Sequence, residues 1–216
     1  MFPVSVCLRI ESKRFVEEET QRKRLGSPAG RIRLPDLPFS GGATKMVALL
    51  PMNERYLMWY SPWLSREFDA YENLIVHDVF DFARREYGCH RVAFCGASLG
   101  AYHAANIAFR HPDAVSLLIS LSGSFDISSF FDGYRDDNIY FNSPFEYLPN
   151  MPDPWKYNHM GIILGTGEWD NTRDESYRLS GILNSKGINH WLDDGKWRGH
   201  DWNYWRDMLP YYLSVL

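Results

Sequence analysis

One stretch, RVAFCGASLGAYHAANIAFRHP at residues 91–112, constrains this chain more than any other. Arg91–Cys95 is a short apolar run of strand type, and Leu99 to Arg110 is alanine-rich and stops before Pro112, as a helix does. Only Gly96, Ala97 and Ser98 separate the two. The backbone must pass from strand to helix almost at once, and glycines at 96 and 100 allow the residues flanking Ser98 to approach closely. A serine at the tip of such a turn sits on a strained backbone with its hydroxyl above the sheet. The helix N-terminus aims free N–H groups and a partial positive charge at it. G-x-S-x-G in this setting predicts a nucleophile at Ser98, with the Leu99 N–H as first oxyanion donor. The plainer alternative is a turn that uses glycine and serine for conformation alone. His103 and His111, along and just past the helix, read as packing or capping residues.

The rest of the chain repeats the alternation. Val4, Val6, Leu8 and Ile10 alternate with polar or small neighbours over residues 3–10, the period of a half-buried strand. Residues 11–24 are highly charged and read as a short helix or exposed turn, Ile32 and Leu34 mark another short strand, and Lys45–Pro51 is a buried one. Phe68, Tyr71, Leu74, Ile75, Val79 and Phe82 recur at helical steps over Glu67–Tyr87, closed by Gly88. Ala114–Leu121, Met160–Leu164 and Ile188–Leu192 read as strands. Thr172–Lys186 and Asp201–Leu216 read as helices, the last capped by Asp201 and interrupted near Pro210. Strands alternating with helices make βα units around a parallel sheet, here a single domain over residues 1–216.

Charge and cysteine usage narrow the function classes. The net charge is −4, but residues 1–36 hold eight Lys/Arg against five Asp/Glu, so the body is the acidic part. The basic start RKRLGSPAGRIR could touch an anionic surface but reads as a solvated segment, and an acidic body disfavours an extended phosphate-tracking surface, so no nucleic-acid partner is expected. No apolar run reaches the roughly 18 residues of a membrane span. The start MFPVSVCLRIESKR lacks a basic n-region and a cleavage site, so no secretory signal is expected. Three cysteines at unpatterned spacing, Cys7, Cys89 and Cys95, fit a reducing cytoplasm and neither a disulfide framework nor a zinc site. Asp132, Asp136 and Asp137 miss the spacing of a calcium loop, and Gly165-Thr166-Gly167 does not complete a dinucleotide motif. No metal and no cofactor is expected.

A serine needs a base, and the base needs an orienting acid. In α/β-hydrolases the chain order is Ser, then Asp or Glu, then His, each on a loop after a strand. After Met160–Leu164 come Glu168 and Asp170; after Ile188–Leu192 comes His200, preceded by Gly199. Ser98, Asp170 and His200 follow that order, with Glu168 and Asp174 as rival acids and His190 as rival base. Phe125–Tyr157 carries ten aromatics between two strands and reads as a cap-like insertion over about residues 125–157. Phe130, Phe131 and Tyr134 are its candidate substrate-binding residues. The same aromatics could pack the core or form a homodimer contact. The aromatic tail, Trp197, Trp202, Tyr204, Trp205, Tyr211 and Tyr212, reads as packing the last helix and helping to hold His200.

These residues resemble a known group. RVAFCGASLGAYHAANIAFRHPD, ISLSGSFD, DDNIYFNSPFEYLPN and GHDWNYWRDMLPYYL, spread over about 60% of the chain, resemble bacterial serine esterases of the α/β-hydrolase fold, the group of enterochelin-esterase-like and esterase-D-like enzymes. The resemblance implies an esterase of small or medium acyl esters with Ser98 as nucleophile and His200 as base, and favours Asp170 over Glu168. It also implies a second oxyanion N–H near Gly41 or Gly42, in the loop Phe39-Ser40-Gly41-Gly42. The N-terminal part departs from the pattern: it is shortened, and the helix expected after that loop is missing. A non-catalytic binding protein on the same fold, or an acyltransferase using the same triad, are the alternatives.

Overall fold

A computed structural model describes residues 6–11, 44–49, 62–87 and 91–215. The charged segment 11–24 beyond Glu11, the Ile32–Leu34 strand and the Gly41–Gly42 loop lie outside them. Two strands, β1 (Val6–Glu11) and β2 (Thr44–Leu49), pair antiparallel, and β1 runs beside β3. The central sheet has the order β3-β4-β5-β6, all parallel: β3 (Val92–Ala97), β4 (Val115–Leu121), β5 (Gly161–Trp169) and β6 (Trp191–Gly199).

Alternation along these strands divides the core into two layers. Val92 and Phe94 of β3, Val115 and Leu118 of β4, and Ile162 and Leu164 of β5 face one side. Ala93, Cys95, Ala97, Leu117, Ile119, Leu121 and Ile163 face the other. On the first side lie α3 (Leu99–Arg110) and α6 (Arg173–Ser185), with one long helix whose parts are α1 (Pro62–Asn73), a π-helical stretch (Leu74–Val79) and α2 (Phe80–Tyr87). The other side is covered by α7 (Trp202–Ser214), through Trp205, Met208, Tyr212 and Leu213. With both faces covered, strands read as continuous apolar runs, and every residue of β3 is buried.

Residues between β4 and β5 form short turns, among them α4 (Asp137–Asn142) and α5 (Pro144–Tyr147). They are fastened to α3 by buried hydrogen bonds. Tyr102 donates to the Asn142 carbonyl at 2.9 Å, Asn106 to its side-chain oxygen at 2.7 Å, and Tyr157 to the Phe109 carbonyl at 2.8 Å. The aromatics here divide: Phe125, Phe131, Phe145 and Tyr157 are buried, whereas Tyr134, Phe141 and Trp155 are exposed.

Three sequence expectations need correction. The strand expected to end at Leu164 continues to Trp169, and its partner is not Ile188–Leu192 but Trp191–Gly199, in register Gly165↔Asp193, Thr166↔Asp194 and Gly167↔Gly195. Glycine and aspartate are depleted in strands, and here each has a local reason. A Cβ at Gly165 would stand 2.3 Å from the Tyr212 hydroxyl, and one at Gly167 2.3 Å from the Arg198 Cβ. Asp193 is held by Arg198 at 2.6 Å, and Asp194 accepts from Tyr177 at 2.6 Å and pairs with Arg173. Finally, α7 runs through Pro210 without interruption. Burial of its apolar face outweighs the roughly 3 kcal/mol that an interior proline costs.

The glycines offer a direct check on this packing. Gly165→Ala should lower the urea-unfolding free energy by about 1–3 kcal/mol, because its Cβ meets Tyr212 and Met208. Gly181→Ala, within α6 where a Cβ meets nothing within 4 Å, should raise it by about 0.5–1 kcal/mol.

Candidate active site

The turn after β3 has the shape its sequence requires. A Cβ on Gly96 would lie 2.0 Å from the Gly100 carbonyl oxygen, so no side chain is possible there. Ser98 takes φ 56° and ψ −124°, a conformation that costs a non-glycine residue about 1–3 kcal/mol. Backbone hydrogen bonds hold it: its N–H donates to the Leu121 carbonyl at 2.9 Å, and its carbonyl accepts from Ala101 at 3.0 Å and Ser124 at 3.2 Å. Leu99 opens α3, and the first N–H groups of a helix have no acceptor within it.

Ser98, His200 and Asp170 come together across 102 residues of chain. The Ser98 hydroxyl is 2.9 Å from His200 Nε2, and His200 Nδ1 is 2.9 Å from Asp170 Oδ1. An ionised carboxylate only accepts, so the Nδ1 proton points to Asp170 and the Nε2 lone pair receives the Ser98 proton. The acid follows β5 directly, and His200 lies between β6 and α7, whose first turn is capped by the Asp201 carboxylate accepting from the Asn203 N–H at 2.7 Å.

Asp170 is only 6% exposed, yet it is densely hydrogen-bonded. Its Oδ1 also accepts from the Thr172 N–H and hydroxyl, both at 2.9 Å, and Oδ2 accepts from Thr166 at 3.2 Å. Burial pushes the carboxyl upward, but the bonds from His200 and Thr172 outweigh it and hold Asp170 well below the ordinary carboxylate range.

The rival residues lie elsewhere. Glu168 accepts from the Trp197 N–H at 3.4 Å, and Asp174 is exposed in the first turn of α6. His190 bonds the Ser180 hydroxyl at 2.6 Å and the Ile188 carbonyl at 2.9 Å. His103 packs with its ring 4.8 Å from Tyr71 and from Tyr102, and burial lowers it to about 4. His111 caps the C-terminus of α3 and bonds Glu72. Of the aromatic candidates, Phe131 is a core residue, its ring 5.9 Å from Phe68. Phe130 packs partly on the same core, and Tyr134 is exposed with its hydroxyl 3.3 Å from Asp136. Among the described residues no group of three or more His, Cys, Asp or Glu is placed to hold a metal, and no helix is long and apolar enough to cross a membrane.

Sequence reasoning overlooked Thr166 and Thr172. Thr166 was concealed by the misplaced end of β5, and Thr172 reads in sequence only as a helix start.

No protein-family model and no curated protein matches this sequence. Solved structures do. A ferulic acid esterase aligns at 21% identity and TM-score 0.55, covering 67% of this chain and 60% of that one. An S-formylglutathione hydrolase from Staphylococcus aureus aligns at 18% and 0.53, covering 68% and 64%. A fluorophosphonate-binding serine hydrolase from the same organism, substrate bound, aligns at 14% and 0.59, covering 79% and 70%. The chain thus spans between three fifths and two thirds of the length of the first two. These likenesses give its fold, that of the α/β-hydrolases.

Because the folded Asp170 value is depressed, its contribution to stability is complete above the unfolded value, near about pH 3.9, and is lost as pH falls below it. The difference in unfolding free energy between wild type and Asp170→Asn should therefore be largest near neutral pH and narrow below about pH 4. A difference that stays constant down to pH 3 in urea titrations would contradict this account of the carboxylate.

Proposed function

We propose that this chain, an α/β-hydrolase by fold, is a serine esterase that cleaves small or medium acyl esters through an acyl-enzyme on Ser98. The observation that carries the reading is the unbroken line of hydrogen bonds from Ser98 through His200 to Asp170, at 2.9 Å each. The fold neighbours that are esterases and serine hydrolases support it.

In this reading His200 Nε2 takes the Ser98 proton as Oγ attacks the ester carbonyl, and Asp170 stabilises the imidazolium that results. The Leu99 N–H and an N–H near Gly41 or Gly42 receive the oxyanion, each donor contributing about 3–4 kcal/mol. His200 then gives its proton to the departing alcohol oxygen as the C–O bond breaks. A water, deprotonated by the same nitrogen, attacks the acyl-enzyme and releases the acid. The segment 125–157, with Phe130 and Tyr134, forms the cap over the acyl group. The unpatterned cysteines, of which Cys95 is buried, support a reducing cytoplasmic setting.

Intact-mass labelling with a fluorophosphonate should give one adduct, absent in Ser98→Ala. Hydrolysis of p-nitrophenyl acetate should fall by at least about 10³-fold in Ser98→Ala and in His200→Ala. A folded wild-type protein that takes no adduct and shows no turnover would point instead to a binding protein on the same fold.

A further inference from the structure

Three donors converge on one oxygen of Asp170, and two of them come from a single residue. Oδ1 accepts from His200 Nδ1, from the Thr172 N–H and from the Thr172 hydroxyl, each at 2.9 Å. The same hydroxyl oxygen lies 3.4 Å from His200 Nδ1. Thr172 Oγ1, Asp170 Oδ1 and His200 Nδ1 thus stand at the corners of one small triangle, and Thr172 touches the acid and the imidazole together. Both threonine and aspartate are buried there, 7% and 6% exposed, where hydrogen bonds to a charge are little diluted by water.

The three atoms determine where the protons stand. An ionised carboxylate only accepts, so the single hydroxyl proton of Thr172 goes to Oδ1, and the hydroxyl turns a lone pair toward Nδ1. Nδ1 then faces two acceptors and must carry the proton, which leaves Nε2 bare at 2.9 Å from the Ser98 hydroxyl. The helix itself makes no use of this hydroxyl. Thr172 is the N-cap of α6, and its carbonyl accepts from the Glu175 and Ser176 N–H groups at 3.1 and 3.3 Å, but its side chain makes no cap bond. Its branched Cβ stiffens χ1, so the hydroxyl is held in one direction.

We infer that Thr172 is a positioning residue for the esterase reaction proposed above: its hydroxyl, donating to Asp170 Oδ1 and facing His200 Nδ1, holds the imidazole in the tautomer and tilt that present Nε2 to Ser98. Rotation of the carboxylate would break three bonds at once, and a flipped imidazole would set a carbon against both oxygens. The inference rests on the esterase reading for its kinetic consequence and on the geometry alone for its structural one.

The test uses the full chain with p-nitrophenyl acetate as probe. Thr172→Val keeps the side-chain shape and removes the hydroxyl. Oδ1 retains its bonds from His200 and from the backbone N–H at 172, so no buried group loses its last partner. Thr172→Ala is a second hydroxyl-free variant, should valine impair folding, and Thr172→Ser keeps the hydroxyl without the methyl. Valine and alanine should each lower kcat about tenfold, with KM changing by less than about twofold, and serine should stay within about threefold of wild type. A second readout needs no turnover: the downfield proton resonance of His200 Nδ1–H should shift or broaden in the valine and alanine variants and hold its place in the serine one. An unchanged kcat in a hydroxyl-free variant overturns the inference. A serine variant as slow as valine also overturns it, since the methyl and not the hydroxyl would then matter. So does a fall in kcat with an unmoved resonance, which would act away from His200 Nδ1. If the wild type takes no fluorophosphonate adduct and shows no turnover, but the resonance moves as described, the esterase reading fails and the positioning role stands; if it does not move, both fall.

Discussion

At Gly96 a Cβ would stand 2.0 Å from the Gly100 carbonyl, and the chain can double back from β3 into α3 only because none is there. Ser98 is forced into φ 56° by the same turn, and the strain persists because the surroundings leave no alternative. Its N–H continues the ladder to Leu121, and its carbonyl accepts from Ser124, so the ends of β3 and β4 are tied at one point. Alanines at 101, 104, 105 and 108 are all buried, which brings α3 down close onto the sheet. The wholly buried Phe94, Tyr102 and Leu118 supply the burial that offsets the strain, each contributing about 1.5–3 kcal/mol.

Asp170 shows the same exchange in electrostatic form. A carboxylate with little exposure tends toward the neutral state, and hydrogen bonds to its charged form reverse that tendency. Thr172 reveals what the reversal takes from the scaffold. It occupies the N-cap of α6, where a threonine ordinarily bonds an N–H of its own helix, yet it makes no such cap bond. Its hydroxyl is directed to Asp170 at 2.9 Å instead. A cap bond of about 1 kcal/mol is forgone at the head of one helix so that the acid stays charged.

The elbow, the chain order of the three site residues and most element positions were legible in the sequence because each rests on a local rule. Apolar runs give β3 and β4, helical spacing gives the long helix through Phe82, and Asp201 caps α7 as its type suggests. The ends of β5 and β6 were not legible. Their polar residues belong in a strand only through partners distant in sequence: Asp193 through Arg198 and the Tyr212 hydroxyl at 2.7 Å, Asp194 through Arg173 and Tyr177, Gly165 through the space Tyr212 occupies. Donors to Asp170 were hidden for a similar reason. Thr166 and Thr172 follow no motif spacing, and only the folded sheet edge gathers them.

The corrected boundary of β6 changes how His200 is held. A strand ending at Leu192 would place His200 at the end of an eight-residue loop, free to sample many positions. With β6 continuing to Gly199, paired there with Trp169, and α7 beginning at Trp202, only His200 and Asp201 lie between two regular elements. Asp201 caps the helix, and the Trp205 ring, one turn further along, stands across the imidazole. The buried face of α7 against the sheet thus bears directly on the position of Nε2, which links the stability of the last helix to the geometry at Ser98. In the reaction proposed for this site, proton transfer from serine would depend steeply on that distance, and an imidazole carried by two anchored elements is already placed for it.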